Sequence, residues 1–129
     1  MPGRFLLDTN IIIALFNGDP DVEARLQGSA EVFLSSVVLG ELYFGAARSG
    51  RPEANKARVQ DFAASCPLVG TDEGTALEYG RVKTGLKRKG KPIPENDVWI
   101  AASAFQHDLV LVTRDGHFAS VEGLRFESW

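Results

Sequence analysis

The chain has 129 residues, a formal charge of −3 and an apolar share of 44%. That is the length of one ordinary domain, and a domain of this size can bury a working core without staples. Its single cysteine, Cys66, excludes an internal disulfide, and no run approaches the roughly 18 apolar residues of a membrane span.

In chain order, Phe5-Leu6-Leu7 reads as a short buried strand and Ile11–Phe16 as an apolar helical run, closed by the turn cluster Asn17-Gly18-Asp19-Pro20. Met1–Arg4 and the apolar run after it have the outline of a signal peptide. Asp8, Thr9 and Asn10 interrupt that run and no small-residue cleavage site follows, so the expectation is a cytoplasmic protein with no membrane association. Asp21–Gln27 is expected as a short helix and Val32–Leu34 as a second strand. Ser35 and Ser36 are cap residues for a helix over Val37–Arg48, which Ser49-Gly50 stops. Pro52 suits the first turn of a helix running to Ala64.

Pro67–Val69 is a weak third strand, followed by a long helix over Asp72–Lys89 that Gly90 ends. Beyond the extended Lys91–Pro94 segment, an alanine-rich helix covers Glu95–Gln106. Leu109–Val112 is the clearest strand, apolar throughout as doubly buried strands are, and Leu124–Phe126 is a last edge strand. Alternating strands and helices predict an α/β fold. It is a single domain over residues 1–129, a three-layer α/β/α sandwich around a mostly parallel sheet of four to five strands.

In open parallel sheets, ligands bind beyond the carboxyl ends of the strands. Asp8 directly follows the first strand, and Thr113, Arg114 and Asp115 directly follow Leu109–Val112. Helices between parallel strands start at the same rim. Asp97 falls in a first helical turn, and Glu41 lies roughly 7.5 Å into its helix, with a side chain that leans back toward the start. Four carboxylates in contact oppose one another's ionisation. A divalent cation relieves this, and an all-oxygen donor set suits Mg²⁺ or Mn²⁺ rather than zinc. Such ions act in nucleases and polymerases, where paired metals about 3.5–4 Å apart clamp the attacking and leaving oxygens.

These residues resemble a known family. Asp8-Thr9-Asn10 after the first strand, Gly40-Glu41-Leu42 with Tyr43-Phe44-Gly45-Ala46, Asn96-Asp97-Val98-Trp99-Ile100-Ala101-Ala102, and Thr113-Arg114-Asp115-Gly116-His117-Phe118 are similar, in order and spacing, to the four motifs of PIN-domain ribonucleases. The likeness is strongest to the VapC toxins of toxin–antitoxin pairs. It implies Mg²⁺-dependent hydrolysis of RNA phosphodiesters, with Mn²⁺ as a substitute, in a structured RNA such as a tRNA. Asp8, Glu41 and Asp97 would hold the metal, and Asp115 would complete the site directly or through water. Thr9, Asn10, Asn96 and Thr113 would bond the carboxylates or the scissile phosphate. Products would carry 5′-phosphate and 3′-hydroxyl ends. A VapB-type antitoxin would neutralise the toxin by presenting an arginine to the acidic site.

Other readings stand beside this one. Taken singly, Asp8 is an ordinary helix cap, Asp97 a complement to a helix dipole and Asp115 a turn residue. Glu41 interrupts an apolar run, where an unpartnered charge is costly. His107 and His117 could serve a metal-free acid–base ribonuclease, although His107 is expected at the opposite rim and His117 reads as structural or as an RNA contact. Trp99 and Phe105, at helical spacing, read as core or dimer surface. The apolar Val37–Phe44 and Trp99–Phe105 stretches exceed what a small sheet covers, which predicts a homodimer. Arg81, Lys83, Lys87, Arg88, Lys89 and Lys91 are six of the fourteen basic residues. They form a solvated helix face or a stripe for phosphates. A PIN-like module that binds RNA or protein without cutting is the alternative function. A phosphatase or receiver fits poorly, since position 10 is Asn and Arg4 and Asp8 supply no acid pair.

Overall fold

A computed structural model of the chain describes residues 3–28 and 31–129. Met1, Pro2, Ser29 and Ala30, which belong to the expected 1–129 domain, lie outside the described residues. The first apolar run is strand β1 (Arg4–Leu7), followed by helices α1 (Thr9–Phe16) and α2 (Pro20–Gly28) and strand β2 (Glu31–Ser35). Helices α3 (Ser36–Ala47) and α4 (Pro52–Ala64) lead to the two-residue strand β3 (Leu68–Val69). Helices α5 (Glu73–Lys89) and α6 (Glu95–Gln106) lead to β4 (Val110–Val112). A 3₁₀ turn (Gly116–Ser120) then precedes β5 (Phe126–Glu127).

Local chemistry sets the boundaries. Ser35 Oγ accepts from the Val38 amide at 3.1 Å and so starts α3. Asp72 and Thr75 exchange bonds of 3.2 and 3.0 Å at the start of α5, satisfying two amides that the helix itself leaves open. Gly90 ends α5 at φ 66°, a left-handed conformation that a side chain resists.

The sheet runs β3-β2-β1-β4-β5 with every pair parallel, at the upper end of the expected strand number. Phe5 stands opposite Val32 on one side and Val110 on the other. The chain moves outward from β1 through β2 to β3, then crosses back to β4 and β5. Right-handed crossovers therefore put α1 to α4 on one face and α5 and α6 on the other. Leu6, Leu7, Leu34, Leu111 and Val112 fill the sheet's centre at 0–1% exposure. Each buried leucine contributes roughly 1.5–3 kcal/mol of transfer free energy. Among the described residues, no helix is long and apolar enough to cross a membrane.

The apolar excess expected on α6 is met inside the chain. Ile100, Ala101, Ala102 and Ala104 are buried, and α5 covers what remains. Tyr79 stacks on Trp99 at 4.1 Å, and the Arg81 guanidinium lies 4.4 Å from the Phe105 ring centre. On α3, in contrast, Phe44 stays 62% exposed.

The strand order reverses at β1 and β4, whose onward connections leave in opposite directions. A crevice opens there beyond their carboxyl ends, and Asp8 and Thr113 stand at its floor.

Candidate active site

Asp8 is the first residue past β1, and its amide extends the ladder to Val112 O at 2.9 Å. Its side chain is 5% exposed. Oδ1 accepts from the Thr9 amide at 2.8 Å, capping α1. Oδ2 accepts from Thr113 Oγ1 at 2.7 Å and from Asn10 Nδ2 at 3.4 Å. Thr113 is held in turn by its amide on Glu127 O at 2.9 Å, and its hydroxyl accepts from the Asp115 amide at 3.0 Å. Asn10 Oδ1 accepts from the Arg114 amide at 3.1 Å, tying the segment after β4 to α1. The Arg114 side chain turns away, to Asp19 at 2.8 Å and the Trp129 carbonyl at 2.9 Å.

Glu41 reaches the same cleft from the second turn of α3. Thr9 Oγ1 donates to its Oε1 at 2.6 Å and Asn96 Nδ2 to its Oε2 at 3.3 Å, so both oxygens are aimed. Asp97 sits in the first turn of α6, where the helix dipole favours a carboxylate. Asp115 precedes the 3₁₀ turn and accepts from the His117 amide at 3.2 Å. The His117 ring lies between the two acids. Nε2 is 2.6 Å from Asp97 Oδ2, and Nδ1 is 2.6 Å from Asp115 Oδ1.

The cleft, about 500 Å³, is lined by all four acids together with Thr9, Asn10, Asn96, Glu95 and the aliphatic Ile13 and Pro94. Burial pushes the Asp8 carboxyl above its ordinary range against the lowering effect of its Thr113 and Thr9 bonds, and the charges of Glu41 and Asp115 push the same way. Burial likewise raises Asp97. His117 opposes this, and Asp8 and Glu41 add to it. The acids therefore sense one another across the cleft. Among the described residues, the only basic side chain bonded to any of the four is His117.

The PIN domain family model matches residues 5–124. Ribonuclease VapC2 of Haemophilus influenzae is 36% identical over 98% of both chains, and the tRNA(fMet)-specific endonuclease VapC of Shigella flexneri is 35% identical over 98% of both. This chain belongs to the PIN-domain family, among its VapC ribonucleases. Solved structures of VapC with its antitoxin agree. The DNA-bound VapBC complex from Salmonella typhimurium superposes with a TM-score of 0.92 at 33% identity, covering 100% of this chain and 99% of that one. VapBC2 from Rickettsia felis, bound to a DNA fragment of its promoter, gives 0.90 at 29% identity, covering 97% and 98%.

In this PIN domain, every acid expected at the rim lines the cleft. The hydroxyl and amide residues divide the two tasks open to them. Thr113, 2% exposed, supports Asp8 from below and has no path to a substrate, while Thr9 and Asn96 hold Glu41. His117 was expected as a structural residue or an RNA contact, and its place between Asp97 and Asp115 was not. The signal was its position two residues after Asp115, where a tight turn returns a side chain to the same site. Glu95 was missed too. It lines the cleft but is engaged by Tyr79 and Lys83. His107 caps the far end of α6, its carbonyl accepting from Arg4 Nη1 at 3.2 Å near the start of β1. A two-histidine mechanism is therefore ruled out by geometry.

The donor set fits a divalent cation. Oxygens of Asp97 and Asp115 and a ring nitrogen of His117 lie within 4.8 Å of one another, with Asp8 and Glu41 in the same cleft. The excess negative charge, held by polar groups too weak to neutralise it, is what such an ion would offset.

Proposed function

We propose that this chain is a metal-dependent endoribonuclease toxin acting in the cytoplasm, with its 129 residues forming one PIN-like domain. The observation that supports this best is the convergence of Asp8, Glu41, Asp97 and Asp115 on one cleft of a VapC-type PIN fold. Asp8, Asp97 and Glu41 would hold Mg²⁺, or Mn²⁺ in its place, and Asp115 would complete the site. The ion would supply charge neutralisation at the scissile phosphate and lower the pKa of an attacking water. The chain's own part is placement. Thr9 and Asn96 fix Glu41, and Thr113 and Asn10 fix Asp8, so that little reorganisation is needed when substrate arrives. RNA is the substrate, tRNA the favoured kind, given the names of the relatives.

A VapB-type antitoxin is the proposed partner, as in the solved complexes. A groove of about 260 Å³ that Glu41 helps line, with Ile13, Phe16, Leu42, Ala46 and Val59 beside the polar Asn17, Asn55 and Arg58, offers a partly apolar seat next to the acids. An antitoxin arginine would meet complementary charge there.

Brief expression of the parent and of Asp8→Asn or Asp97→Asn, followed by mapping of cellular RNA ends, tests the reading. New 5′-phosphate and 3′-hydroxyl ends in a restricted set of RNAs, absent with either variant, are expected. Growth arrest by all three proteins without new ends would favour an RNA- or protein-binding module that does not cut.

A further inference from the structure

His117 stands out because nothing in the four-carboxylate reading requires it, yet both its nitrogens are committed to the site. The local sequence explains how it gets there. Asp115 Oδ1 captures the His117 amide at 3.2 Å, which folds Asp115-Gly116-His117 into a tight turn. The imidazole is then returned over Asp115 and toward α6. Packing fixes the ring's other side, with its centre 4.9 Å from that of the buried Phe118.

The two ring contacts differ in setting. Asp97, at 15% side-chain exposure, lies toward the interior of the cleft, whereas Asp115 is 42% exposed and lies at the turn. Metal-binding histidines commonly bind through one nitrogen while the other N–H is held by a carboxylate, which sets the tautomer and the ring direction. Asp115 Oδ1, 2.6 Å from Nδ1, occupies the place of that carboxylate. Without a cation, Nε2 and Asp97 Oδ2 share a hydrogen bond at 2.6 Å. A cation that displaces its proton would meet the Nε2 lone pair and the Asp97 oxygen side by side.

We propose that His117 is itself a ligand of the divalent cation, through Nε2 beside Asp97, and that Asp115 acts by orienting the histidine. This rests on the metal-dependent reading above and sharpens it. Asp115 then reaches the ion through a side chain, where the sequence left the choice between direct contact and water. A nitrogen donor also biases the site. Mg²⁺ favours oxygen ligands, while imidazole is well suited to later first-row ions, so the site should prefer Mn²⁺ more strongly than carboxylates alone would.

The test uses untagged protein loaded with Mn²⁺. Pulsed EPR should show coupling to a directly bonded ¹⁴N in the parent and none in His117→Gln, whose amide can still hydrogen-bond to Asp97. Titration calorimetry should show Mn²⁺ affinity falling by about 10-fold or more in His117→Gln, with a smaller loss for Mg²⁺. Asp115→Asn, which still offers an acceptor to Nδ1, should keep the ¹⁴N signal. Circular dichroism melting checks that the variants fold. Bound Mn²⁺ without ¹⁴N coupling, or coupling that persists in His117→Gln, would overturn the role of His117 while leaving the carboxylate site standing. Failure of the parent to bind Mn²⁺ would overturn both.

Discussion

Asp8 carries three duties with one side chain. It caps α1, accepts the Thr113 hydroxyl and faces the other acids of the cleft. Its pKa and that of Asp97 are raised in the folded protein, chiefly by burial. The folded state therefore binds protons more tightly than the unfolded chain does at these positions. Their effect without metal is a stability that falls as pH climbs from the ordinary aspartate range through the raised values. Asp8→Asn keeps the cap and removes the charge. In EDTA it should melt above the parent at pH 7, and the gap should close on acidification toward pH 4. A variant that melts below the parent at pH 7 would show that the carboxylate charge is not the cost described. Thr113→Val, nearly isosteric and fully buried, removes both the donor to Asp8 and the acceptor for the Asp115 amide. Metal affinity or cleavage should drop by about 10–100-fold while the fold is retained. Unchanged metal titration would refute that supporting role.

At the scale of elements, α5 does more than pass from β3 to α6. It covers α6 through Tyr79 on Trp99, and its capping aspartate, Asp72, also accepts from Gln106 Nε2 at 2.6 Å. Asp72→Ala should cost about 1–2 kcal/mol, a fall in Tm of roughly 3–6 °C for a domain of this size. Cleavage below the melting range should be unaffected, because α6 begins at the opposite end from this contact. Thermal scans and activity at 25 °C would check both halves. The elements were legible in the sequence wherever periodicity was long or caps were explicit, as in α3 behind Ser35 and α5 between Asp72 and Gly90. Short pieces were less so. The last strand was expected over Leu124–Phe126 but forms at Phe126–Glu127, because the Leu124 amide is drawn into a turn on Val121 O. Leu109 lies outside β4, its amide closing α6 on Ala104 O at 2.9 Å. The 3₁₀ turn at Gly116–Ser120 has no repeat to betray it, so the two-residue spacing from Asp115 to His117 was a signal that meant little until the turn itself was seen. α1 starts at Thr9 rather than Ile11, since the polar Asp8-Thr9-Asn10 triplet is both helix start and site.

For the whole molecule, topology decides where chemistry is possible. Strand order reverses at β1 and β4, and acids from four separate segments meet at that one opening. The acids were legible because Asp8 directly follows a strand, Asp115 lies in the segment just past another, Asp97 is in the first turn of α6 and Glu41 is one turn into α3. The supporting bonds were not, because they depend on side-chain rotamers. Ile13, which lines the Glu41 groove, and Phe44 on α3 are exposed large apolar side chains, and they are the candidate surfaces for the antitoxin and for the proposed second copy of the chain. Light scattering after size exclusion should report a dimer at micromolar concentration, and a clean monomer would contradict that expectation. The proposed reaction is cleavage of RNA with the help of a divalent cation held by these carboxylates. Its most direct test is incubation of the purified protein with tRNA in Mg²⁺ or Mn²⁺, with and without excess EDTA, alongside Asp97→Asn. Cleavage that is lost in EDTA, restored by added cation and absent in the variant is the predicted result. Cleavage that continues undiminished in EDTA, or in Asp97→Asn, would contradict it.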